Sequence, residues 1–128
     1  MSLSDANLRY LFALSELAGP GRPVRSMEVA DLLGVSRPSV VRVLHTLAER
    51  GLVEKAHYGK ITLTPKGQFT VDYYRELVDR IHADFPHTGL ELTLPQRRQA
   101  ALALAAALPD EEYRRRCAQL PGAVSAEG

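Results

Sequence analysis

Apolar residues recur at helical spacing early in the chain, where Leu8, Leu11, Phe12, Leu14, Leu17 and Ala18 share one face. The segment AGPGRP at 18–23 breaks that pattern with two glycines and two prolines, so a first helix is expected to end near Ala18. Ser26 precedes Met27, Val29, Ala30, Leu32 and Leu33, and Gly34 follows, which predicts a helix of about two turns with a serine cap and a glycine stop. Ser36 opens the next run as its expected cap. Pro38 is tolerated in a first turn, Val40, Val43, Leu44 and Leu47 form one apolar face, and Gly51 ends the element. Two helices joined by a turn as short as GVS must cross steeply, the helix-turn-helix arrangement.

After Gly51 the period changes. Leu52 and Val53 lead into EKAHYGKITLT, where Tyr58 and Gly59 suit a hairpin turn and Ile61 alternates with Leu63. A helix-turn-helix followed by a hairpin predicts a mainly α winged helix, three helices plus a two-stranded wing. Beyond it, Phe69, Tyr73, Leu77, Ile81 and Phe85 repeat every four residues, with Tyr74 and Val78 widening the stripe, so a helix of roughly five turns is expected. PHTGLE interrupts it. TLPQRRQAALALAAAL at 93–108 then reads as an alanine-rich helix with a cap and an early proline, and Pro109-Asp110 starts a short last helix.

At 128 residues and 45% hydrophobic content the chain suits one ordinary core with a small appendage. The expected division is a winged-helix DNA-binding domain at 1–67, a helical dimerisation region at 68–120 and a disordered tail at 121–128. Phe69, Tyr73, Leu77 and Ile81 offer more apolar surface than a small winged domain is expected to cover, so they are the expected homodimer contacts.

The formal net charge is only +1, but its distribution is uneven. Between Arg22 and Lys66 stand Arg22, Arg25, Arg37, Arg42, Arg50, Lys55, Lys60 and Lys66 against Glu28, Asp31, Glu49 and Glu54, eight bases less four acids, or +4. Cys117 is the single cysteine, so an internal disulfide is excluded. The N-terminal MSLSDANLRY lacks a basic lead and apolar run, and no window has the length of a membrane span. A soluble, cytoplasmic protein without membrane association is expected. There is no phosphate-binding glycine loop and no nucleophile beside a base in a recognisable motif, so an enzyme is not expected.

An outward helix N-terminus brings unpaired N–H groups and the positive dipole end, both suited to phosphate. The side chains expected to reach DNA from this helix are Ser36, Arg37, Pro38, Ser39, Val40 and Arg42. Arg37 and Arg42 lead because arginine matches guanine O6 and N7 bidentately. Arg25 joins them, and Lys55, His57, Tyr58 and Lys60 bracket the hairpin tip, placed for flanking phosphates or the minor groove.

The run VADLLGVSRPSVVRVLHTLAERGLVEKAHYGKITLTPKG at 29–67 resembles the DNA-binding region of the diphtheria-toxin-repressor family of metal-responsive winged-helix repressors, and more distantly the multiple-antibiotic-resistance regulators. The specific marks are S-x-P-S-V opening the recognition helix, ERGLV leaving it and LTPKG launching the long helix, and the resemblance covers roughly residues 5–85. It implies that Ser36, Pro38, Ser39 and Arg42 lie at a DNA surface and that a homodimer grips a palindromic operator. It also implies a regulatory transition metal, manganese or iron. The positions that line up with the family's ligands are Ala6, Arg9 and Val78, none of which coordinates metal, and the alanine-rich helix has no Glu-x-x-His. The expectation is therefore that the metal ligands are lost. Asp5, Glu76, Asp79 and His82 remain as candidates for a shifted site. The competing class is a metal-independent winged-helix scaffold that binds protein rather than DNA.

Overall fold

The computed structural model describes residues 3–18 and 22–121. Gly19, Pro20 and Gly21, which carry most of the expected break after the first helix, and residues 122–128 of the expected disordered tail lie outside the described residues. The helices are α1 (Asp5–Ala18), α2 (Ser26–Leu33), α3 (Arg37–Glu49), α4 (Pro65–Ala83), α5 (Leu94–Ala107) and α6 (Glu111–Cys117). The strands are β1 (Val24–Arg25), β2 (Val53–Lys55) and β3 (Lys60–Leu63), with a short 3-10 turn at His57–Gly59 between the last two. They form an antiparallel sheet in the order β1-β3-β2. The architecture is the expected mainly α winged helix, enlarged by one strand. β1 has only two residues, too few to show an alternating pattern in sequence.

Local chemistry sets the element ends. Ser36 Oγ accepts from the Ser39 N–H at 3.2 Å, satisfying one of the donors that the first turn of α3 leaves open. Thr93 and Gln96 form a reciprocal capping box on α5, at 3.2 Å and 2.9 Å. The expected cap at Ser26 is corrected, because Ser26 is the first residue of α2 and Arg25 is its cap. Pairing with Lys60 in the sheet holds Arg25 extended, as a cap requires, and its N–H donates to Glu28 Oε2 at 3.4 Å. Gly34 closes α2 at φ 67°, a left-handed conformation that glycine adopts without strain.

A single hydrophobic cluster runs from Leu3 to Cys117. α1 lies at its centre, packed against α2, α3, α4 and α5, with Leu8, Leu11 and Leu14 fully buried. Val40, Leu44 and Leu47 fix α3 to this core, and Val71, Tyr74 and Val78 do the same for α4. The boundary expected at 67/68 falls inside α4, and the core continues across it.

The entry to α4 is a tight joint. Thr64 Oγ1 donates to the Gly51 carbonyl at 2.6 Å and accepts from the Gly67 N–H at 3.0 Å, while the Thr64 N–H donates to the Leu52 carbonyl at 3.1 Å. Lys66 Nζ reaches the Arg50 carbonyl at 3.2 Å, supplying a cation to the C-terminal end of α3. A β-carbon on Gly67 would stand 2.0 Å from the Leu52 carbonyl oxygen. The LTPKG segment is thus a clamp in which each residue from Thr64 to Gly67 has a contact or backbone role.

The stripe of Phe69, Tyr73, Leu77 and Ile81 is corrected in one respect. These residues are half-buried against the core of their own chain, whereas a monomer was expected to leave them open. α6 folds back on α4 so that the Phe69 and Tyr73 rings lie 6.2 Å and 5.5 Å from the Tyr113 ring. The fully buried Thr70 Oγ1 shares a hydrogen bond of 2.7 Å with Tyr113 Oη and donates to the Lys66 carbonyl at 2.8 Å.

Gly67→Ala is expected to destabilise the fold by about 3 kcal/mol, since the atom met is backbone and the joint has no slack. A shift of the denaturant midpoint measures it. A second expectation concerns alkali. Burial, with Tyr73, Asp110 and Cys117 adding to it, pushes the Tyr74 phenol up to about 12, and burial also raises that of Tyr113. An unfolded tyrosine ionises near pH ~10, so the contribution of these neutral phenols is complete below that pH and is lost as pH rises toward about 12. Unfolding free energies across this range should fall, and Tyr74→Phe should flatten the fall.

Candidate nucleic-acid interface

α3 has two opposed faces. Val40, Leu44 and Leu47 are buried in the core, and Arg37, Pro38, Val41, Arg42, His45 and Thr46 are exposed. Ser36 is exposed at the cap and Ser39 is half-buried, with the Ser36 hydroxyl donating to Ser39 Oγ at 2.8 Å. Arg37 and Arg42 make no ion pair with any other described residue, so both guanidinium groups remain available to an anion. Farther along, His45 Nε2 stands 3.6 Å from Glu49, and Thr46 Oγ1 donates to the Arg42 carbonyl at 3.3 Å. The outward N-terminal half of α3 is therefore cationic.

Val40 is the exception among the residues expected at this surface. It is fully buried, and the exposed apolar side chain is the next one, Val41, at 47%. The spacing of Val40, Leu44 and Leu47 already carried that signal, because residues four and seven apart share one face.

The wing supplies a second cationic surface. Arg25 on β1 is directly opposite Lys60 on β3, and both are exposed. Like charges facing each other across strands are mutually unfavourable, which an anion lying over them would reverse. Only the pairing of β1 brings these two together. Lys55 lies on β2, opposite Ile61, and is also exposed. His57 begins the 3-10 turn at the tip, followed by Tyr58 and Gly59 at φ 67° and 73°. The Ala56 N–H donates to the Lys60 carbonyl at 2.8 Å and closes the hairpin. Tyr58 is 89% exposed.

The donor set for a metal does not fit. Among the described residues no three His, Cys, Asp or Glu side chains converge. Glu76 pairs with Arg80 at 2.6 Å and Asp79 with Arg98 at 3.0 Å, so the shifted set of Asp5, Glu76, Asp79 and His82 is not assembled. Val78, which the resemblance places at a ligand position, is packed in the core at 1% exposure. His82 Nε2, in the last turn of α4, is buried without a hydrogen-bond partner among the described residues. No helix among the described residues is long and apolar enough to cross a membrane.

A family model described as HVO_A0261_N, the HVO_A0261 N-terminal domain, matches residues 8–84, which run from α1 to the end of α4. A riboflavin kinase of Thermococcus kodakarensis is 38% identical over 76 residues, 56% of this chain and 35% of that protein. A cyclic AMP receptor protein of Thermus thermophilus is 44% identical over 57 residues, 41% of this chain and 26% of that protein. The chain thus spans about a third and about a quarter of these curated relatives. Among solved structures, the hypothetical protein SSo2273 from Sulfolobus solfataricus superimposes with a TM-score of 0.66 at 18% identity, covering 88% of this chain and 85% of that one. IdeR of T. acidophilum gives 0.59 at 19% identity, covering 90% of this chain and 53% of that one. The likeness to the diphtheria-toxin-repressor family, to which IdeR belongs, holds at the level of the winged-helix fold.

Ser36→Ala should remove the side-chain acceptor at the start of α3 and lower stability by about 1 kcal/mol. Ser36→Asp, which retains an acceptor, should restore most of it in the same thermal-unfolding assay.

Proposed function

The chain belongs to the HVO_A0261 N-terminal domain family, and on that premise we propose that it is a sequence-specific DNA-binding regulator of transcription that acts as a homodimer. The recognition helix 36–50 lies in the major groove, with Arg37 and Arg42 facing base edges and Ser36, Pro38 and Ser39 against the backbone. The wing at 55–61, with Arg25 beside it, holds the flanking phosphates or minor groove. The single observation that carries this reading is the cationic surface itself. Arg37 and Arg42 remain outside every ion pair with described residues, and Arg25 faces Lys60 across the sheet, an arrangement that favours a polyanion.

Two copies on a palindromic operator follow from the symmetry such a site demands. The exposed side chains of Leu94 and Leu104 on α5, with Leu108 just beyond its end, supply apolar surface for the second copy, next to the half-buried stripe of α4. In this reading residues 1–67 contact DNA and 68–120 hold the dimer, in the cytoplasm and without catalysis. The name of the riboflavin kinase relative bears on a protein of which this chain covers 35%, and no catalytic motif accompanies the match here. A protein-binding winged-helix module is the alternative, and the Arg25–Lys60 pair argues against it because a protein partner offers no regular array of negative charge.

Arg42→Ala is expected to weaken binding to a duplex selected from a random library by roughly 1–3 kcal/mol and to relax preference at one base position. Lys60→Ala should weaken binding to all sequences alike and reduce the salt slope by about 0.9 if it neutralises one phosphate. Fluorescence anisotropy at several salt concentrations separates the two effects. A wild-type chain that selects no duplex overturns the DNA reading.

A further inference from the structure

Three valines stand close together on α3, and only two of them serve the core. Val40 is fully buried, and Val43 is half-buried and packs against the hydrophobic cluster. Val41 is 47% exposed and belongs neither to that cluster nor to the partly buried side chains packed against it. A β-branched residue is a poor choice for the solvent face of a helix, where alanine, lysine or glutamate is better accommodated. Val41 lies in the second turn of α3, four residues after Arg37, four before His45 and next to Arg42, all of them exposed. Arg37 and Arg42 stand outside every ion pair with described residues. The outward face of the helix thus carries a stiff apolar side chain set among cations.

We propose that Val41 is a specificity-determining residue that packs on the C5-methyl group of a thymine in the major groove. This role rests on the DNA-binding reading of the preceding subsection and adds to it a base contact that needs neither charge nor hydrogen bond. Among the base edges of the major groove the thymine methyl is the one methyl group, set among hydrogen-bond donors and acceptors. A helix that enters the groove by its N-terminal end brings the side chains of its first two turns to those edges. A protein partner would have to cover Val41 with apolar side chains, and the guanidinium groups on either side of it would lose water without gaining acceptors. DNA supplies both needs at once, phosphates and base acceptors for the arginines and a methyl group for the valine. Branching at the β-carbon leaves valine one stiff torsion, so little freedom is lost when it is ordered on binding.

Uracil differs from thymine only in lacking this methyl, so single thymine-to-uracil replacements in a fluorescein-labelled duplex selected by the wild-type chain isolate the contact. Wild type should lose about fourfold in affinity at one of these positions, the worth of one buried methyl group. Val41→Ala should bind the parent duplex about fourfold more weakly and bind the thymine and uracil forms of that position equally well. Salt slopes should match throughout, because the lost groups carry no charge. The unfolding midpoint of Val41→Ala should be no lower than that of wild type, since alanine is the better helix former. A wild-type chain indifferent to uracil at every position, or a selected site without a fixed thymine, overturns the proposal and leaves the DNA reading standing. An equal uracil penalty in Val41→Ala assigns the methyl to another residue, and a clear fall in its midpoint gives Val41 a packing role in the fold; either result overturns the proposal. If the wild-type chain selects no duplex at all, the DNA reading fails and the role of Val41 fails with it.

Discussion

The joint at Thr64 to Gly67 is the constraint on which the geometry of the molecule depends. Within four residues it ties the end of α3, the strand that leaves it and the start of α4 through backbone carbonyls of Arg50, Gly51 and Leu52. Carbonyls at the end of a helix need donors, and here a lysine ammonium and a threonine hydroxyl provide them. Close approach of α4 to Leu52 is possible only because position 67 has no side chain. The orientation of α3 relative to α4 is therefore set by hydrogen bonds and steric exclusion, in addition to the apolar contacts that bury both helices.

That orientation governs what α3 presents. Once Val40, Leu44 and Leu47 are seated in the core, Arg37, Val41 and Arg42 have to face outward. The wing then adds its own cations, and β1 draws Arg25 next to Lys60. A chain of formal net charge +1 thus concentrates positive charge on its winged half. Electrostatic attraction to a polyanion depends on such local density and falls with salt, so overall charge is a poor guide to it.

The C-terminal helices serve α4. The aromatic group of Phe69, Tyr73, Tyr74 and Tyr113 joins α6 to α4, with Arg116 lying 5.7 Å from the Tyr73 ring centre. The Thr70–Tyr113 hydrogen bond satisfies a fully buried hydroxyl, which would be costly to leave alone. What this packing leaves at the surface is one side of α5, where Leu94 and Leu104 are exposed while Ala101, Leu102 and Ala105 are buried. Within the chain, the buried side of α5 is taken up by α4 and α1.

The order of helices, the caps at Ser36 and Thr93, the break at Gly34 and the hairpin at Tyr58-Gly59 were legible in the sequence because each rests on local chemistry within a few residues. Long-range packing decided the rest. β1 exists only because β3 lies beside it, and the same pairing moved the cap of α2 from Ser26 to Arg25. Whether Phe69 and Tyr73 are open or covered depended on the path of α6, whose Tyr113 lies forty or more residues along the chain. Candidate ligands spaced three apart on α4 found arginine partners on α4 and α5 instead of one another. Sequence by itself determined the helices, the hairpin and the cationic side chains of the winged half, since periodicity, capping and charge are local properties. Only the tertiary structure decided which of them share a surface, because that follows from how distant segments exclude one another and pack.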